Sequence, residues 1–121
     1  SRQSDIKKSE IGNKCGRHFS GWCFMMTRAL LEDIGYLPEC VSYWFSDNAT
    51  IKEVNKKGIS PMIVPSSIVH HLGTATGRGV PSKEMEHMTW GQCVIYNKVY
   101  NDTLFLNNPH YQNYLKRHGK K

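Results

Sequence analysis

Apolar residues in this chain come in short dense runs, and the period of the pattern changes from run to run. Phe19 to Met26 is aromatic and aliphatic on both parities, the pattern of a strand covered on both faces. Directly after it, Leu30, Leu31 and Ile34 share one face of a helix over 27–34, with Thr27 placed to cap it and Gly35 to stop it in a left-handed conformation. Pro38 breaks the chain, and Tyr43, Trp44 and Phe45 form an aromatic patch before Ser46-Asp47. A second helix is predicted over 47–57, capped by Ser46, with Asp47 in its positive first turn, Lys56 and Lys57 in its negative last turn, and Gly58 ending it.

Ser60–Val64 and Ser66–His70 are apolar runs divided by Pro65, which predicts a strand, a kink and a continuation. Leu72 to Pro81 carries Gly73, Gly77 and Gly79 and reads as a flexible loop able to close over a ligand. The longest helical pattern runs from Ser82 to Tyr100, with Met85, Met88, Val94, Ile95 and Val99 at apolar positions and Gly91 weakening its middle. Asn108 before Pro109 opens a last helix that ends near His118. Residues 1–18 read as a linker or disordered lead-in and 19–121 as one domain. The expected class is α/β: runs 19–26 and 60–70 share one mixed sheet, with the helices at 27–34 and 47–57 packed against it.

A chain of 121 residues can hold one core, but is small for a complete enzyme with several substrates. The first fourteen residues are polar and basic, which predicts no secretory leader, and no run reaches membrane-spanning length. A soluble piece is expected. The formal charge of +6 comes largely from the two ends, a basic fringe suited to nucleotide diphosphates or anionic lipid headgroups. Four cysteines, Cys15, Cys23, Cys40 and Cys93, are irregularly spaced among apolar neighbours and read as free thiols in a reducing compartment. The rival arrangement is zinc held by Cys15, His18, Cys23 and Cys40.

Several of these motifs resemble the acceptor-binding half of family 2 glycosyltransferases of the GT-A type, over roughly residues 19 to 80. Gly21 to Met26 is similar to the family's strand that opens on a small residue and leads into a helix ending in an isoleucine-glycine pair, here Ile34-Gly35. Tyr36-Leu37-Pro38-Glu39 stands where the family has a phenylalanine-aspartate-glutamate turn and keeps the glutamate. Trp44-Phe45-Ser46-Asp47 stands where the family shows an aromatic residue and a Glu-Asp pair, with Ser46 replacing the first acid. Lys57-Gly58 and His70-His71-Leu72-Gly73 follow in the family's order.

The resemblance implies a partial GT-A-like mixed sheet with flanking helices, and transfer of a sugar from a nucleotide-sugar donor to a glycan or lipid-linked acceptor. Asp47 would be the general base that takes the acceptor hydroxyl's proton. Trp22, Glu39, Tyr43 and Trp44 would bind the acceptor, the aromatic rings by stacking on sugar faces. His70, with His71 as the fallback, would ligate the divalent cation, manganese or magnesium, that neutralises the leaving diphosphate in the complete enzyme. No Asp-x-Asp precedes residue 19, so a donor-binding half is expected in cis or in trans, and this chain by itself is expected to be inactive. A cytoplasmic location follows, with peripheral contact at the inner face of a membrane as a further expectation; nucleic acid is not the expected partner.

By chemistry alone, Asp47 serves as well to complement a helix dipole, His70 as a hydrogen-bonded strand end, and His71 as a surface side chain. Two rival functions stand beside the transferase: a non-catalytic sugar- or partner-binding domain on the same scaffold, and a small basic nucleic-acid-binding module stabilised by zinc.

Overall fold

The computed structural model describes residues 6–42, 44–71 and 81–118. The secondary structure is mostly helical. Strand β1 (Glu10–Ile11) pairs antiparallel with β2 (Met62–Ile63), Glu10 opposite Ile63 and Ile11 opposite Met62. The Gly12 amide donates to the Pro61 carbonyl at 3.0 Å and extends this ladder by one bond. The lead-in expected over 1–18 thus contributes a strand, and Ile6 is buried.

Helix α1 (Arg28–Asp33) forms between its local signals. Thr27 Oγ1 accepts from the Leu30 amide at 3.1 Å. Gly35, at φ +80°, donates to the Glu32 carbonyl while the Tyr36 amide donates to that of Leu31, the paired bonds of a Schellman stop. Helix α2 (Ser46–Lys56) ends the same way: Gly58, at φ +74°, donates to Asn55 and Ile59 to Val54. Its start lies one residue earlier than expected. Ser46 is the first helical residue and Phe45, left-handed at φ 69°, is the cap.

The predicted helix over 82–100 is continuous, though not uniform. Ser82–Glu86 (α3) passes through a π-turn at His87–Gly91 into α4 (Gln92–Tyr100). Gly91 sits where α5 (Pro109–His118) crosses, and a Cβ there would lie 3.1 Å from the Tyr114 hydroxyl. Asn108 Oδ1 accepts from the His110 and Tyr111 amides and caps α5. Between α4 and α5, the Asn97 side chain donates to the Leu104 carbonyl at 2.9 Å and accepts from the Leu104 amide at 3.0 Å, closing the connection.

The core is built by α2, α4 and α5: Val41, Phe45, Ala49, Cys93, Tyr96 and Tyr111 are buried together. Its polar atoms are paired. Tyr96 donates to Asp102 at 3.0 Å and Tyr100 to Glu53 at 2.7 Å, and burial followed by these carboxylates pushes both phenols well above the usual range.

The run 19–26 differs from expectation. Among the described residues it makes an isolated bridge between Cys15 and Phe19 and then turns, and the run 60–70 pairs through Met62–Ile63 with Glu10–Ile11 instead. The two runs do not share a sheet here. The physical reason is coverage: a strand apolar on both parities needs a layer on each face, and Met25 is 97% exposed, with Trp22 and Phe24 also exposed. No helix among the described residues is long and apolar enough to cross a membrane.

Candidate functional site

Asp47 enters α2 through the strained residue before it. Phe45 is buried against Tyr96 with ring centroids 6.2 Å apart, and its left-handed backbone turns the chain so that Ser46 and Asp47 begin the helix at the surface of the core. The carboxylate is partly exposed and held from two sides. Its Oδ1 accepts from the Asn48 amide at 2.9 Å and its Oδ2 from the Gly21 amide at 3.4 Å. Gly21 is the residue that opens the motif 19–26, so the turn found there delivers its backbone to the head of α2.

The next residue along, Trp22, stacks on His71 with ring centroids 4.5 Å apart and planes within 5° of parallel. Gly21-Trp22 is therefore flanked by Asp47 on the one hand and by His71 on the other. Three segments far apart in sequence meet at one dipeptide. Beneath them the half-buried Cys15 thiol donates to Asn48 Oδ1 at 3.6 Å. Burial first, then the charge and hydrogen bonding of Asp47, pushes this thiol up to about 12.

The expected site residues are not all drawn in. Trp22 and Trp44 are half-exposed. Glu39 is exposed on the loop after α1. Tyr43 lies outside the described residues, as does nearly all of the glycine-rich loop 72–81. Of the two histidines, His71 stacks on Trp22, while His70 is exposed beside it. Sequence reasoning missed the parts played by Cys15 and Asn48, and nothing local to either residue signals a contact between them.

The residues present do not make a self-contained metal site, for no group of three His, Cys, Asp or Glu side chains converges among the described residues. The zinc arrangement also fails on geometry. His18 Nε2 lies 2.5 Å from Glu10 Oε2 and its Nδ1 accepts from the Lys14 amide, so both ring nitrogens are engaged. A surface depression of about 630 Å³ lies elsewhere, lined by Thr27, Leu30, Asp33 and Ile59 among others, and contains none of the expected site residues. No protein-family model matches the chain, and neither a curated protein nor a solved structure matches it.

Proposed function

We propose that this chain is the acceptor-side segment of a family 2, GT-A-type glycosyltransferase, carrying a sugar from a nucleotide-sugar donor to a glycan or lipid-linked acceptor. The observation that carries the reading is the meeting of Asp47 and His71 at Gly21-Trp22. These residues belong to three of the motifs in which the sequence resembles the family, and they meet although the mixed sheet is not formed among the described residues. The support is therefore the approach of these segments to one dipeptide and not a fold.

In this reading Asp47 accepts the proton of the acceptor hydroxyl as that oxygen attacks the anomeric carbon, and the bond to the diphosphate breaks on the opposite face. The partly exposed carboxylate at a helix start, aimed by two backbone amides, is suited to that task. Trp22 and Trp44 offer flat apolar faces to sugar rings, with Glu39 and Tyr43 completing the acceptor side. The divalent cation, manganese or magnesium, belongs to the complete enzyme, because one imidazole and one carboxylate are too few ligands to hold it here. A donor-binding half in cis or in trans supplies the rest, in the cytoplasm or at the inner face of a membrane.

The test is nucleotide release. The chain together with its donor-binding half, incubated with manganese and a panel of uridine- and guanosine-diphosphate sugars, is expected to release nucleotide diphosphate from at least one donor when acceptor glycans are added. Release from none of the panel overturns the reading.

A further inference from the structure

The setting of the Asp47 carboxylate depends on a segment that lies well before it in the chain. Residues 15–21 reach the head of α2 at two points. At the first, Gly16 donates to the Phe19 carbonyl at 2.9 Å, a tight turn that holds Cys15 with its thiol 3.6 Å from Asn48 Oδ1. At the second, the Gly21 amide donates to Asp47 Oδ2, and the approach is so close that a Cβ on Gly21 would lie 3.3 Å from Asp47 Cβ and 3.7 Å from Ser46 Oγ.

We propose that Cys15 and Gly21 are positioning residues for Asp47: Gly21 through its amide and its lack of a side chain, Cys15 through the thiol that fixes the neighbouring Asn48. The inference rests on the reading of Asp47 as a general base. A base must lie within hydrogen-bond reach of the proton it takes, and misplacement by about 1 Å can cost roughly a hundredfold in rate. Asp47 Oδ1 also accepts from the Asn48 amide at 2.9 Å, so a shift of Asn48 is passed on to the carboxylate. Burial first, and after it the charge and hydrogen bonding of Asp47, hold the proton on the Cys15 sulfur, so the thiol and the carboxylate sense each other.

That reciprocity supplies a test that needs no turnover. Iodoacetamide alkylation of the intact chain, followed residue by residue with mass spectrometry, reads the thiolate fraction of each cysteine as pH rises. Asp47→Asn is expected to move the Cys15 profile to lower pH and to raise its rate near pH 9 by roughly threefold or more, while the buried Cys93 stays unreactive. In Cys15→Ala, the Gly21 and Asn48 amide resonances are expected to shift, and Cys15→Ser, which keeps a donor, to restore them. A Cys15 profile in Asp47→Asn that superimposes on wild type overturns the proposal, as do amide resonances unmoved in Cys15→Ala. Should Cys15→Ala not fold, the alkylation comparison decides alone. The absence of coupling leaves the chemistry of Asp47 standing, whereas normal turnover of Asp47→Asn removes the base and leaves the coupling intact.

Discussion

Glu10 is held by two cationic or ionisable side chains, Arg17 and His18. Arg17 grips it with two bonds, Nε to Oε2 at 2.7 Å and Nη2 to Oε1 at 2.9 Å, and His18 adds a third contact. Because His18 Nδ1 accepts from the Lys14 amide, its proton sits on Nε2 and is donated to Glu10. Arg17 first, then His18, lower the Glu10 carboxyl from 4.5 to about 2. A depressed carboxyl stabilises the fold above its unfolded value and loses that contribution as pH falls toward the folded one. The thermal midpoint is thus expected to drop between about pH 4.5 and 2, and Glu10→Gln to flatten that part of the profile. At this scale, the place of Asp47 in the first turn of α2 was legible, because an acid between an aromatic patch and a helical run is a local pattern. The stacking of His71 on Trp22 was not, since the two lie far apart in the sequence. Cys15 beside Asn48 is a contact between distant segments with no local trace.

Helix ends were readable because their causes lie within a turn of the chain. Thr27, Gly35, Gly58 and Asn108 each act on backbone groups two to five residues away, and each sits where its helix starts or stops. The strand expected over 19–26 was not, because a strand exists only with partners, and the run's apolar faces are uncovered among the described residues. Gly91 shows the same division. Its low helix propensity was legible; the reason for it, the crossing Tyr114, was not. The Tyr114 hydroxyl is fixed by His87 Nδ1 at 2.8 Å and cannot easily give way to a Cβ 3.1 Å distant. Gly91→Ala is therefore expected to lower the unfolding free energy by about 1 kcal/mol despite the better propensity. In a Tyr114→Phe background, the same substitution is expected to be neutral or stabilising. Chemical denaturation of the four proteins measures the cycle, and equal effects in both backgrounds would remove Tyr114 as the cause. Asn97→Ala strands the Leu104 amide and leaves its carbonyl only the Cys93 thiol at 3.4 Å, and should cost about 1–3 kcal/mol in the same assay.

As a whole, the molecule joins an aromatic core of α2, α4 and α5 to a more exposed turn in which Trp22 stacks on His71. One imidazole is too small a donor set, so titration calorimetry with manganese on this chain alone should show no binding in the micromolar range; tight binding would mean that the chain completes a metal site without a donor-binding half. The central claim is that Asp47 takes the acceptor's proton, and one variant tests it most directly. In the active enzyme, Asp47→Asn is expected to keep the fold and donor binding and to lower the rate of transfer by roughly a hundredfold or more. The contrary result is near-normal turnover with a loss of about 0.3–1 kcal/mol in stability, which would leave Asp47 as a complement to the helix dipole and nothing more.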